Sequence, residues 1–272
     1  MRSQSHFFSI APEMILAVVI FAMQGSSQAQ SRSSKAEQGM GQEQAMRTGG
    51  EEDVITPSGL QPAFPARVRC PEIASMYGSQ TRYDGSSRPK WVFGGYHGGI
   101  DITLAEGTPL LAVAAGTVVS KGEGGMLEGI YLWLRHSPED TGLAYWVYSK
   151  YQHLESIPEL EVGAKVAMRQ MVARSGKSGT VGRHYGMSGY SHLHLTTRKS
   201  SRGDESVGPR GATRGLPLFD PLAMYHDAGG KLRESAESPL PARAVPIPYA
   251  STDGKVAPPA TRVVWPVACQ PQ

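Results

Sequence analysis

At 272 residues, 40% of them apolar, with 32 glycines and 20 prolines, the chain suits one large domain or two small ones, and its load of helix breakers argues against a helical bundle. A net charge of +3 is too small to argue for nucleic acid, and fits an anionic cell-envelope surface or plain solubility equally.

The first segment reads as a secretory signal over residues 1–29. Arg2 gives a thin positive region, Met14 to Met23 is an apolar run, and Ser27-Gln28-Ala29 offers small residues for cleavage. A spanning helix needs about 20 apolar residues, roughly twice this run, so the expectation is a cleaved signal with no stable membrane insertion afterwards. The weak start and Glu13 before the run leave a retained anchor as the alternative. Residues 30–66 are rich in Ser, Gln, Glu, Gly and Arg and hold too little apolar surface for a core, so they are expected to be a disordered spacer. Export makes an oxidising periplasm or cell envelope the expected location, where Cys70 and Cys269 can pair. The other reading is two free thiols.

From Val68 onward short apolar runs alternate with glycines. Leu110–Ala115 and Thr117–Val119 read as short strands meeting at a bulge at Gly116. Ile130–His136 alternates large apolar residues, which predicts a strand with Ile130, Leu132 and Leu134 on one face. Tyr145–His153 is its expected antiparallel neighbour, joined through turn formers at Pro138–Gly142. Leu193–Arg198 reads as a further strand. The expected domain covers 67–228, followed by an extended tail over 229–272 in which Val263-Val264-Trp265 makes a last strand if Cys269 is bridged. The fold class is mainly β, a single antiparallel sheet or sandwich with few short helices.

Two separated segments carry the chemistry. His97-Gly98-Gly99-Ile100-Asp101 and Ser191-His192-Leu193-His194 together offer three or four zinc ligands. Alternation in a strand aims His192 and His194 at one face. His97 and Asp101 would lie about 13 Å apart in an extended strand, so the chain must bend between them, and Gly98-Gly99 suits bending. Two imidazoles and a carboxylate match a catalytic zinc site with a position left for water, whereas an oxygen-rich calcium or magnesium set is absent. His136, His184 and His226 have no partner pattern and read as core or surface residues, and His153 by itself does too.

In chain order these motifs resemble the lysostaphin-type, LytM-like zinc metallopeptidases that cut peptidoglycan cross-bridges. Tyr96-His97-Gly98-Gly99-Ile100-Asp101 resembles the family's His-x-x-x-Asp segment. Gly107-Thr108-Pro109, Ala115-Gly116-Thr117-Val118 and the strand ending at His136 follow in the family's order. So do Tyr151-Gln152-His153-Leu154, Val162–Val166, Ser175-Gly176-Lys177-Ser178-Gly179, His192-Leu193-His194 and Asp220-Pro221. The likeness spans about residues 75–225.

The resemblance implies the lysostaphin/LytM type of fold with a duplicated hybrid motif. It makes His97, Asp101 and His194 the ligands of one Zn2+, and His153 and His192 the catalytic histidines that serve as base and as oxyanion or leaving-group partner. It also implies hydrolysis of peptide bonds in peptidoglycan stem peptides or cross-bridges. The loop Thr180–Ser191 is longer than the family's connection and borders the expected cleft, and Gly122–Gly129 departs from the usual Gly-Asn turn. The competing function is a catalytically silent domain that binds and regulates other wall hydrolases such as amidases. Such domains lose ligand or catalytic histidines, and this chain keeps all five positions.

Overall fold

The strongest alternation in the sequence becomes the middle of a large antiparallel sheet. The computed structural model describes residues 55–125, 127–180, 189–207, 216–228 and 243–272, all within one compact unit, Gly50–Gln272. Its elements begin with β1 (Gln61–Ala63), β2 (Val68–Arg69), β3 (Ile73–Ser75), a 3-10 turn at Phe93–Gly95, β4 (Ile100–Thr103), β5 (Pro109–Leu111) and β6 (Gly116–Glu123). Then come β7 (Ile130–His136), the one-turn helix α1 (Pro138–Thr141), β8 (Trp146–Gln152), β9 (Lys165–Val166), β10 (Met171–Arg174) and β11 (His192–Ser200). The chain continues with β12 (Leu218–Phe219), helix α2 (Pro221–Ala228), β13 (Ala244–Pro246), β14 (Tyr249–Ala250), β15 (Val256–Ala257) and β16 (Gln270–Pro271). The fold is mainly β, and among the described residues no helix is long and apolar enough to cross a membrane.

The eight-stranded sheet runs β3-β4-β11-β8-β7-β6-β9, with β12 also pairing β11. β7 and β8 form the expected hairpin, with Leu134 opposite Ser149 and Leu132 opposite Tyr151. Its connection is a capped helical turn. Ser137 Oγ accepts from the Asp140 amide, Asp140 Oδ2 accepts from the Ser137 amide, and Gly142 closes the turn at φ 80°. Ile130, Leu132 and Leu134 face the main core, as the alternation predicted, together with Ile100, Ile102, Tyr151, Leu193 and Leu195. Tyr131, Trp133 and Tyr148 project to the opposite face and form a second cluster with Leu216.

Several expected boundaries shift. The strand predicted over Leu110–Ala115 ends at Leu111, because the next amides find partners outside a ladder: Ala112 donates to the Gln170 carbonyl and Val113 to the Tyr151 hydroxyl. The bulge falls between Val118 and Ser120, not at Gly116. Gly116 is glycine for space, since a Cβ there would stand 2.6 Å from His136 Nδ1.

Both ends of the domain are longer than expected. Ile55 and Leu60 are buried, and β1 pairs in parallel with β13, so residues 55–66 belong to the folded unit rather than to a spacer. The tail from Arg243 onward packs rather than extends. Val263, Val264 and Trp265 are fully buried, yet form no strand, because their amides reach separate partners: Val263 the Thr261 hydroxyl at 3.2 Å, and Val264 and Trp265 the Val113 and Pro248 carbonyls, both at 2.7 Å. The last strand is β16, paired with β2. That ladder sets Cys70 beside Cys269, and the two form a disulfide. The signal segment 1–29, spacer residues 30–54 and tail residues 229–242 lie outside the described residues.

Candidate metal centre

The centre is built on one ladder. β11 runs antiparallel to β4 with His194 opposite Asp101, and antiparallel to β8 with His194 opposite Gln152. Leu193 and Leu195 point into the core, so His192 and His194 share the other face with Asp101.

His97 arrives from the bend before β4. Gly98 and Gly99 permit that bend by leaving space: a Cβ at Gly98 would meet the Phe93 ring, and one at Gly99 would collide with the Leu195 carbonyl and stand 3.0 Å from His194 Nε2.

The three predicted ligands converge. His97 Nε2 lies 3.0 Å from His194 Nδ1 and 3.1 Å from Asp101 Oδ1, and His194 Nδ1 lies 2.7 Å from the same oxygen. The atoms each residue can offer all lie within 4.8 Å of one another. Donors bound at about 2 Å around a tetrahedral zinc are a little over 3 Å apart, so this set fits zinc in spacing as well as in chemistry. The outward atoms are tied down: His97 Nδ1 donates to the Met76 carbonyl at 3.0 Å, and His194 Nε2–H donates to Thr196 Oγ1 at 3.0 Å. Such partners fix the tautomer that turns a lone pair toward an ion. Asp101 Oδ2 is held by Arg88 at 3.3 Å, and the same guanidinium nitrogen donates to Ser75 Oγ at 2.9 Å.

Burial sets the charges. His194 is pushed down to about 4, chiefly by desolvation, with Asp101 opposing. Burial raises the Asp101 pKa, but His97 and His194 together outweigh it and hold the carboxyl well below its usual range. The carboxylate is therefore ionised beside a neutral His194 imidazole, which suits a cation.

The two remaining histidines join the same face. His153 follows β8 at φ 63°, an uncommon backbone for a non-glycine. Its ring centroid lies 4.6 Å from that of His192 and 5.9 Å from that of His194. Its Nδ1–H donates to the Ser178 carbonyl at 2.7 Å, and His192 Nδ1–H donates to the Tyr190 carbonyl at 3.0 Å. Each is left with Nε2 as its lone-pair end, and His192 Nε2 lies 3.7 Å from Asp101 Oδ1. Burial lowers both below the usual histidine range, His153 the further, since His192 and His194 add to the effect there.

The Ser175–Gly179 motif supports this pair. Ser178 Oγ donates to the Leu154 carbonyl and accepts from the Ile130 amide, which fixes the carbonyl that holds His153. Gly176 leaves room for the Glu155 backbone, 2.6 Å from where a Cβ would sit.

His136 is apart from the centre, a fully buried residue between the Ala115 carbonyl and Ser149 Oγ, each at 2.7 Å. His226 sits on α2, 3.9 Å from Asp227. His184 and most of the Thr180–Ser191 loop (181–188) lie outside the described residues. The sequence reading passed over Arg88, Ser75, Thr196, Tyr83 and Tyr190. Only Thr196 left a signal, two residues beyond His194 on the same face. Backbone carbonyls such as those of Met76 and Ser178 leave none.

Residues 95–209 match Peptidase family M23. Among solved structures, the catalytic domain of the antimicrobial peptidase lysostaphin from Staphylococcus simulans is 23% identical, covering 56% of this chain and 90% of its own, with a TM-score of 0.39. LytU is 26% identical over 58% of this chain and 87% of its own, with a TM-score of 0.40. A zinc-containing peptidase from Vibrio cholerae is 20% identical over 51% and 36%, with a TM-score of 0.35. No curated protein matches.

Proposed function

Because residues 95–209 match Peptidase family M23, we propose that the chain is an exported zinc metalloendopeptidase that hydrolyses peptide bonds in peptidoglycan stem peptides or cross-bridges. The observation that carries this reading is the joint arrangement of the five polar groups. Three ligand atoms face one another within 4.8 Å, and two further neutral imidazoles present bare Nε2 atoms on the same sheet face.

His97, Asp101 and His194 would hold the ion, and zinc, when bound, supplies a Lewis acid that acidifies water and polarises a carbonyl. The chain's own residues manage the protons. Asp101 stays ionised, and the Met76 carbonyl and Thr196 hydroxyl keep both ligand imidazoles in the tautomer a metal requires. The Ser178 and Tyr190 carbonyls keep His153 and His192 protonated at Nδ1, so each can accept a proton only at Nε2. The imidazole that takes a proton from the attacking water then holds an Nε2–H, which it can return to the departing amine.

Export is supported by the apolar run Met14–Met23 with its small-residue cleavage pattern, and by the Cys70–Cys269 bridge, a bond that persists in oxidising compartments. A periplasm or cell envelope is the location we propose.

The test is release of soluble fragments from purified peptidoglycan by the zinc-loaded chain, beside His194→Ala. Cleavage by the parent and none by the variant is the expected result, with a loss of about a thousandfold or more. Product masses identify the bond cut. Full zinc occupancy with no cleavage on several wall types would instead favour a silent domain that regulates other hydrolases.

A further inference from the structure

Tyr190 touches His192 twice. Its carbonyl accepts the Nδ1–H at 3.0 Å, and its ring lies almost flat on the imidazole, with centroids 4.3 Å apart and planes 16° apart. The Tyr190 ring also packs against Tyr83, with centroids 3.6 Å apart and planes tilted by 48°. Tyr83 is 43% exposed and sits at the tip of a small hairpin closed by the Thr81–Ser87 bridge and by the Arg82 amide to the Ser86 carbonyl. At the base of that hairpin Arg88 grips Asp101. One local element therefore braces both a ligand carboxylate and the aromatic ring behind a catalytic histidine.

An imidazole held only at Nδ1 can still rock about that hydrogen bond, which swings Nε2 along an arc. A ring stacked on its face blocks the rocking, and a second ring packed against the first keeps it from yielding. The phenol oxygen is not what does this, because the Tyr190 hydroxyl is buried without a hydrogen-bond partner.

We propose that Tyr190, backed by Tyr83, is a positioning residue that sets the plane of the His192 ring and so the aim of its Nε2. The proposal rests on the hydrolase reading above, and it predicts that the flat ring matters and the hydroxyl does not.

The test uses the full chain loaded with zinc and a soluble cross-linked peptide, so that kcat and KM separate. Tyr190→Ala is expected to lower kcat about tenfold, with KM within about twofold and zinc content unchanged. Tyr190→Phe should stay within about twofold of the parent, and Tyr83→Ala should fall between the two. Parent-like kcat in Tyr190→Ala overturns the proposal. So does a loss confined to KM, which would make Tyr190 a substrate contact, and so does loss of zinc, which would make it structural. An inactive parent would sink the hydrolase reading instead. The proposal then stands or falls on the His192 ring plane in crystal structures of the zinc-loaded parent and variants, expected in one orientation in the parent and Tyr190→Phe and spread over several in Tyr190→Ala, with the backbone hydrogen bond at Nδ1 kept in all three. A single, unchanged ring orientation in Tyr190→Ala overturns it.

Discussion

The central sheet has two buried faces made by the same strands, and they are held by different physics. On β11, Leu193, Leu195 and Thr197 point one way and His192, His194, Thr196 and Arg198 the other. On β8, Val147, Ser149 and Tyr151 oppose Tyr148, Lys150 and Gln152. The first face is hydrocarbon with a few satisfied hydroxyls and one satisfied imidazole, His136, and most of its stability scales with the apolar area removed from water. The second face buries charges and imidazoles, each of which needs a named partner. Changes on the first face should therefore cost stability in proportion to lost volume. Changes on the second should depend on what is left unpaired.

The largest effect expected from that contrast is at Lys150. Its ammonium pairs with Glu128 and lies 5.1 Å from the Tyr131 ring centroid and 5.4 Å from that of Trp133. Burial pushes the ammonium's pKa down, and Glu128 works against that shift. Lys150→Met keeps the stem and removes the charge, leaving the largely buried Glu128 carboxylate without its cation, and should cost about 3 kcal/mol in denaturant unfolding. The double variant with Glu128→Gln should recover most of it. If the single variant matched the parent, the distinction between the faces would fail.

How far the sequence foretold this division depends on which face is asked about. The apolar face was legible because period-two alternation is a direct imprint of burial. Ile130, Leu132 and Leu134 were placed on it without help. His97, Asp101, His192 and His194 were legible as a constellation, but separating His192 from the proposed ligand trio rests on the family likeness, since strand geometry aims His192 and His194 at the same face. His153 was legible only through that likeness, because what turns its ring inward is a left-handed backbone and the Ser178 carbonyl. Residues 55–66 were misread as spacer because their partners are distant in sequence: β1 pairs with β13, and the Phe64 ring packs edge-on against Trp265. Val263–Trp265 was misread as a strand because its amides reach three separate partners, a pattern no local propensity encodes.

A middle-sized effect tests a histidine outside the centre. His136 is fully buried as a neutral ring, and desolvation lowers its pKa from 6.5 to about 4. Between those values the unfolded chain binds a proton at this residue that the folded chain does not. Stability is therefore full above pH 6.5, falls as pH drops toward 4, and loses nothing further from this group below that. The total is about 3 kcal/mol. His153, His192 and His194 also carry lowered values, so the parent's acid sensitivity mixes several groups. The difference between parent and His136→Gln isolates one of them. The variant, though less stable at neutral pH, should show a shallower loss on acidification, by up to about 1.4 kcal/mol per pH unit. Parallel curves would mean that His136 is not held neutral.

The smallest expected effects sharpen the comparison most, because they come from adjacent threonines on opposite faces of β11. Thr196 Oγ1 accepts from His194 Nε2–H at 3.0 Å, and Thr197 Oγ1 donates to the Phe219 carbonyl at 2.8 Å. Valine replaces either with nearly the same shape and removes one hydrogen bond. At Thr197 the loss is conformational: the Phe219 carbonyl loses its donor, β12 is held less firmly on β11, and stability should drop by about 1 kcal/mol with zinc affinity unchanged. At Thr196 the group lost is the one that holds His194 in its metal-facing tautomer. Zinc affinity should fall about tenfold, read by competition with a chromophoric chelator, while unfolding of the zinc-free chain moves by less than about 1 kcal/mol. Equal effects of the two variants on zinc would show that the whole strand, and not its centre-facing side, tunes the ion. Opposite signatures from residues one position apart would show that the alternation of a single strand separates folding from chemistry.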